Sequence, residues 1–309
     1  PRTSSAASDV YKRQIFMTVK PFDNRDGIIW MNGEFIDWND AKCHIITQGM
    51  HYASAVFEGE RAYNGKIFKS EEHTKRLFKS AEIVGIKIPY SEDEINKAKD
   101  QLISKMALSD CYVRPIAWRG SQQMGLSTSN ADINVAIAVW DDWASYFKIE
   151  DRKAGLKLIT SPWKRPSPDT APCEAKASGP YVICTMSKEF AENKGYNDAL
   201  MLDYRGYVAE GTGANIFFVK NKEIHTPIPD CFLNGITRQT VIEMVSKNGY
   251  KVTEKHIKPE EVSKYDEAFL TGTAAEVTPI QSIDENLFQT GEDTQTFKFM
   301  QEFHDLVRS

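Results

Sequence analysis

The sequence has no basic tract, no CxxC pair, no metal-type histidine spacing and no long apolar run, and each absence excludes a class of function. With 38 Lys and Arg against 43 Asp and Glu, the net charge of −5 offers no electrostatic footprint for nucleic acid or an anionic membrane. The five cysteines, Cys43, Cys111, Cys173, Cys184 and Cys231, are scattered and odd in number, which argues for a reducing compartment and against a disulfide framework or zinc site. The six histidines also lack ligand spacing, so no metal is expected. Val135–Trp140 is continuous and apolar but has the length of one buried strand, far below the ~20 residues that span a bilayer. A cytoplasmic protein is expected. Pro1 to Phe16 lack a methionine, an apolar signal core and any helix or strand period; the expectation is an expression or assembly remnant before Met17, the alternative being a short native tail.

What is present is enough chain for more than one core. At 309 residues, two α/β lobes with a site at their seam are expected: an N-terminal domain over 17–140, an interdomain loop over 141–155 and a C-terminal domain over 156–309. Asn32-Gly33 and Asn64-Gly65 each sit between strand-like stretches and predict tight hairpins, because both positions tolerate positive φ. Helices are predicted over Glu71–Val84, with Leu77, Ala81 and Val84 on one face, and over Ser91–Ala107, where Ser91 and Glu94 form a capping box. Strands follow at Tyr112–Arg119, Ile133–Trp140 and Leu156–Thr160. The segment holding Pro162, Pro166, Pro168 and Pro172 then reads as a stiff loop, incompatible with helix or central strand. Further elements are a helix from Pro180 to Asn193, strands at Asp198–Asp203, Tyr207–Glu210 and Asn215–Lys220, and helices at Thr237–Lys247 and Asp293–Val307.

The chemistry centres on Ala171-Pro-Cys-Glu-Ala-Lys176-Ala-Ser-Gly-Pro-Tyr181, a lysine flanked by residues too small to obstruct a flat ring. Such a lysine is ordinarily a surface residue, but a lysine desolvated beside other charges becomes an amine nucleophile of the kind that holds pyridoxal phosphate (PLP) as a Schiff base. That cofactor also needs a phosphate cup. Gly235-Ile236-Thr237 precedes an amphipathic helix, so the Ile236 and Thr237 N–H groups and the Thr237 hydroxyl are donors at a positive helix end.

Seven stretches in order resemble the branched-chain aminotransferase family within the class IV, fold-type IV PLP enzymes: His51-Tyr-Ala-Ser-Ala-Val-Phe-Glu-Gly59 with Arg61, His73-Thr-Lys-Arg-Leu77, Tyr112-Val-Arg-Pro115, Glu174-Ala-Lys-Ala177, Glu210-Gly-Thr-Gly-Ala-Asn215, Leu233-Asn-Gly-Ile-Thr-Arg238 and Thr271-Gly-Thr-Ala-Ala-Glu-Val-Thr-Pro279. The resemblance implies a two-lobed α/β fold of α+β type, with PLP between a smaller N-terminal and a larger C-terminal lobe. It makes Lys176 the Schiff-base and proton-shuttling lysine, Glu210 the partner of the pyridinium nitrogen, Tyr181 the partner of the phenolic oxygen and Leu233 the ring-face residue. Arg76, Gly235, Ile236, Thr237 and Thr273 would hold phosphate. The Thr273-Ala274 turn and Tyr112 would hold the substrate α-carboxylate, Arg114 and Tyr52 the distal carboxylate of glutamate, and Phe57, Gly59, Arg61, Trp143 and Tyr146 would complete the pocket. The chain departs from the family at Asn234, where proline is frequent, and across Asp141–Tyr146.

The implied activity is ping-pong transamination between leucine, isoleucine or valine and 2-oxoglutarate, by a homodimer or an assembly of dimers. The alternatives are a D-amino-acid or R-amine transaminase, an aminodeoxychorismate lyase or, more remotely, a non-catalytic PLP-binding protein.

Overall fold

The computed structural model describes residues 20–141 and 154–309, so most of the expected interdomain loop, with Trp143 and Tyr146, lies outside the described residues. In chain order the first part contains β1 (Ile28–Met31), β2 (Glu34–Asp37), the one-turn helix α1 (Gln48–His51), β3 (Ala55–Phe57), β4 (Glu60–Tyr63), β5 (Lys66–Ile67), α2 (Ser70–Ile83), α3 (Glu92–Lys105), β6 (Cys111–Arg119) and β7 (Ile133–Trp140). Both Asn-Gly turns form as the sequence predicts. Asn32 and Gly33 take φ of 51° and 97°, Asn64 and Gly65 take 52° and 78°, and the strands close on the pairs Met31–Glu34 and Tyr63–Lys66.

These strands form one sheet in the order β2-β1-β7-β6-β4-β5, with β3 also paired to β6. Ser91 caps α3 reciprocally: its hydroxyl accepts from the Glu94 N–H at 3.2 Å, and its own N–H donates to the Glu94 carboxylate at 2.7 Å. The 3.6-residue period then lays Leu77 and Ala81 of α2, and Ile95, Ala98 and Leu102 of α3, against Val113, Val135, Ile137 and Val139 of the sheet.

The second part contains β8 (Leu156–Arg165), α4 (Tyr181–Asn193), β9 (Asp198–Asp203), β10 (Val208–Glu210), β11 (Asn215–Lys220), β12 (Glu223–Thr226), α5 (Ile236–Lys247), β13 (Lys251–Glu254), β14 (Glu267–Gly272), β15 (Glu276–Ile283), β16 (Asn286–Leu287) and α6 (Gln295–Leu306). The strand order is β10-β9-β8-β15-β14-β11-β12-β13, with β16 beside β15. Because β10 also pairs with β11, six of these strands close on themselves as a barrel, and the closure is the single pair Glu210–Asn215. On its outer side α5 and α6 bury Val241, Val245, Phe299 and Phe303 against Phe217 and Phe269. No helix among the described residues is long and apolar enough to cross a membrane.

One expectation fails. β8 does not stop at Thr160 but runs through Pro162 to Arg165. Proline is tolerated because β8 pairs with β15 only through Leu158, while its register with β9 slips between Thr160 and Lys164; Pro162 falls within the slip, where no ladder bond requires its missing N–H.

Leu102 is fully buried between α3 and the first sheet. Leu102→Ala is expected to cost about 2–5 kcal/mol, whereas Ser91→Ala, which removes only the cap, costs about 1 kcal/mol. Urea denaturation of the two variants measures the difference.

Candidate active site

The proline-stiffened chain after β8 does not return to the barrel directly but crosses to the first sheet. There Lys176 N–H donates to Ser80 Oγ at 2.9 Å, Phe57 N–H donates to the Lys176 carbonyl at 3.0 Å, and Ser178 N–H donates to the Ala55 carbonyl at 3.0 Å. Ala177 forms a β-bridge with Val56. Extended backbone alternates its side chains, so Ala175 and Ala177 enter the first core while Lys176 faces the opposite way, into a cleft between the two sheets. Larger neighbours would not fit that core. The small residues around Lys176 serve this packing as well as access to the amine.

The cleft is partly open, with about 620 Å³ of space within it and at its mouth. Its floor holds Lys176 and Tyr181, whose phenol accepts from the lysine Nζ at 2.9 Å. Phe57 meets Tyr181 edge-on at 5.0 Å, and the Lys176 ammonium lies 5.1 Å from the Phe57 ring centroid.

Glu210 and Leu233 also line the cleft. Burial pushes the Glu210 carboxyl up to about 7, although Arg165 and Lys176 both favour its ionised form. Arg165 Nε approaches Glu210 Oε1 to 3.3 Å. Asn215 organises this region: its amide nitrogen donates to Glu210 Oε2 at 3.2 Å and to the Leu233 carbonyl at 3.0 Å, while its oxygen accepts from the Gly235 N–H at 3.1 Å. A Cβ at Gly235 would lie 2.3 Å from that oxygen, so only glycine fits.

Gly235 is the N-cap of α5, in extended conformation and with no side chain capping the helix. Ile236 and Thr237 therefore present uncapped amide ends to the cleft, alongside Arg76 and Thr273. Thr273 and Ala274 lie in the tight turn between β14 and β15, which ends at Glu276 with φ 51°. All nine residues expected to hold the cofactor thus line one cleft.

The residues expected to hold substrate are more dispersed. Arg114 donates to the Tyr112 hydroxyl at 3.0 Å and lies 4.9 Å from the Phe57 ring centroid, forming a wall beside the cleft. A Cβ on Gly59 would fall 2.0 Å from the Tyr112 hydroxyl, which fixes glycine there. Arg61 is drawn elsewhere, to Glu276 at 2.7 Å, and with Tyr63 it braces the Thr273-Ala274 turn rather than lining the cleft. Tyr52 is 41% exposed on its own chain and does not line the cleft.

Several residues here escaped sequence reasoning. Asn215 and Glu58 stand inside quoted motifs but were assigned no role. Arg165 is buried at the end of a strand within a proline-rich stretch that gave no sign of it, and Thr271 faces the cleft from β14. The Arg165 Nε and Thr271 Oγ1 atoms are buried without a hydrogen-bond partner among the described residues. A cation with an uncapped helix end, a buried carboxylate and a lysine–tyrosine pair suit a group that is anionic at one side, flat in the middle and basic at the other. PLP has that chemistry.

Residues 55–283 match the family model described as amino-transferase class IV. The chain belongs to that family. A probable branched-chain-amino-acid aminotransferase of Rickettsia bellii is 44% identical over 265 residues, covering 86% of this chain and 90% of the relative. The branched-chain-amino-acid aminotransferase of Pseudomonas aeruginosa is 42% identical, covering 92% and 94%. Among solved structures, a T.th. branched-chain amino acid aminotransferase complexed with N-(5'-phosphopyridoxyl)-L-glutamate superposes with a TM-score of 0.86 at 35% identity, covering 92% of this chain and 95% of the other. As a class IV aminotransferase the protein has the fold-type IV architecture and takes PLP as its cofactor.

The Glu210 carboxyl binds its proton more tightly in the fold, at about 7, than its ordinary value of 4.5. Its contribution to stability is therefore full below pH 4.5 and is lost as pH rises through 7. In the cofactor-free protein, Glu210→Gln is expected to flatten the decline in stability across this window, read from urea midpoints at successive pH values. For Gly235→Ala, the clash with Asn215 is expected to weaken PLP retention, measured by reconstitution of the cofactor-free protein.

Proposed function

We propose that this class IV aminotransferase moves the amino group between branched-chain L-amino acids (leucine, isoleucine and valine) and 2-oxoglutarate, in two half-reactions of a ping-pong cycle. The observation that carries the reading is Lys176, hydrogen-bonded to Tyr181 in a cleft beside which Phe57, Tyr112 and Arg114 pack together. Such a wall accepts an aliphatic side chain in one half-reaction and places a cation near a second carboxylate in the other. The relatives are named for branched-chain amino acids, and the T.th. structure carries a glutamate adduct, which supports the same pair of substrates here.

PLP, when bound, supplies a ring that takes up the electron pair left at the substrate α-carbon. Arg76, Gly235, Ile236, Thr237 and Thr273 anchor its phosphate. Leu233 would lie against its ring, Tyr181 would meet its phenolic oxygen and Glu210 its ring nitrogen. Burial raises the Glu210 carboxyl to about 7 in the fold, and a cationic ring nitrogen beside it would favour the carboxylate form. Lys176 Nζ, held by the Tyr181 hydroxyl, would be the base that moves the substrate α-proton. The amides of Thr273 and Ala274, with Tyr112, hold the α-carboxylate. Arg114 and Tyr52 meet the distal carboxylate, and Phe57, Gly59, Trp143 and Tyr146 shape the rest, with Arg61 holding the turn.

The same reading includes a homodimer, or an assembly of dimers, acting in the cytoplasm. Ile45, Met50, Tyr52, Met124 and Leu126 are exposed. Gln48 ties their two segments together by donating to the Gly125 and Ser127 carbonyls at 3.0 and 2.8 Å. A second copy covering this patch accounts for a pocket tyrosine that does not reach its own cleft. The division into lobes at 141–155 belongs to the same proposal.

The test is spectroscopic. The yellow absorption of the PLP-loaded protein is expected to bleach with L-leucine and return with 2-oxoglutarate, and Lys176→Ala is expected to abolish turnover. Turnover of R-phenylethylamine or D-alanine with none of leucine would overturn the substrate assignment.

A further inference from the structure

Arg76 reaches the cleft from α2, but its orientation is set by a residue of another element. Glu58 follows β3, and its side chain is wholly buried. One carboxylate oxygen accepts from Arg76 Nε at 2.6 Å and the other from Arg76 Nη2 at 2.8 Å. The second oxygen also accepts from His73 Nδ1 at 2.7 Å, one turn earlier on the same face of α2, and from the Gly59 N–H at 3.2 Å. Glu58 is itself pinned, since its N–H donates to the Pro115 carbonyl at 2.8 Å.

Glu58 does not line the cleft, and Arg76 does. A guanidinium carries five N–H donors in a rigid fork. Glu58 takes the Nε–Nη2 side, and Arg76 has no other hydrogen-bond partner among the described residues. The remaining edge, at Nη1, is therefore left for the cleft. A buried carboxylate behind an anion-binding arginine cancels part of its charge, so its value there lies in direction. Without it the long side chain would sample many rotamers.

We propose that Glu58 is a positioning residue for phosphate recognition: it clamps Arg76 side-on so that the outward edge of the guanidinium faces the phosphate cup at the start of α5, with His73 holding the clamp. This rests on the reading of Arg76 as a phosphate ligand. The phosphate preference of the enzyme then resides in a pair of residues, one of which never touches the phosphate.

Pyridoxal shares the ring and aldehyde of PLP but lacks the phosphate, so comparing the two isolates the phosphate contribution. Cofactor-free wild type, Glu58→Gln, Arg76→Lys and the double variant are titrated with PLP and with pyridoxal, followed by absorbance, and melted without cofactor. Glu58→Gln is expected to weaken PLP binding about tenfold to a hundredfold, the scale seen when a group that orients a ligating side chain is removed, and to leave pyridoxal binding unchanged. The double variant is expected to lose little more than Arg76→Lys alone, because the two act as one unit. Equal losses for PLP and pyridoxal with a lowered melting temperature would reduce Glu58 to a structural role and overturn the proposal. An unchanged PLP-to-pyridoxal ratio in Glu58→Gln, with a reduced ratio in Arg76→Lys, would overturn the proposal alone. An unchanged ratio in Arg76→Lys would overturn the phosphate assignment beneath it. Should Glu58→Gln not fold, Glu58→Asp keeps the charge but shortens the reach, and a selective PLP loss is expected there too.

Discussion

The β-bridge between Val56 and Ala177 decides where everything else must be, because it fastens the lysine-bearing segment, which comes from the barrel side of the molecule, to an edge of the other sheet. Two alanines must be swallowed by the first core for the bridge to form, and the side chain between them is thereby turned toward the barrel mouth. The remaining groups are arranged around that fixed amine. Tyr181 stands one turn beyond it at the head of α4, Glu210 comes from the barrel seam, and the start of α5 comes from the far end of the cleft. Ser80 of α2, which bonds the Lys176 amide, lies one turn beyond Arg76 on the same helix. The lysine segment and the Arg76 guanidinium are thus registered against each other by a single helix.

Buried carboxylates recur around the cleft, and their protonation follows the number of donors each has recruited. For Glu58, burial raises the proton affinity, but the bidentate Arg76 and then His73 more than reverse it and hold the carboxyl well below the usual range. Glu60 is equally buried but meets one ammonium, that of Lys99 at 2.8 Å, and its other oxygen has no partner among the described residues; burial wins and pushes it up to about 7. Glu210 has a guanidinium nitrogen 3.3 Å away that makes no hydrogen bond to it, and a neutral amide, and burial wins again. The fold therefore favours the charged form of the carboxylate that grips an arginine and disfavours that of the one that faces the cleft.

Local chemistry was legible in the sequence wherever one turn or one helix face determined the outcome. The two Asn-Gly turns, the Ser91–Glu94 box and the apolar stripes of α2 and α3 are short-range features, and they form as read. The residues facing the cofactor cleft were also readable, because their motifs are compact and match a known family. Long-range consequences were not. Pro162 lies in a strand because a register slip, invisible in sequence, leaves its nitrogen unneeded. Arg61 bonds Glu276, more than two hundred residues away in the chain, and nothing near either residue signals the pairing. Arg165, which lines the cleft beside Glu210, and Glu58, buried behind Arg76, stand in stretches whose pattern does not distinguish a buried charge from a solvated one.

The barrel closes through one residue pair, and that pair includes Glu210. Its partner Asn215 also grips the backbone at Leu233 and Gly235, on the approach to α5. Closure of the barrel and the shape of the cleft consequently depend on the same residue. Glu210, the Leu233 carbonyl and the Gly235 amide are all held by that one asparagine. One residue pair thus serves both as the seam of the barrel and as part of the cleft wall, so a substitution made for one is felt in the other.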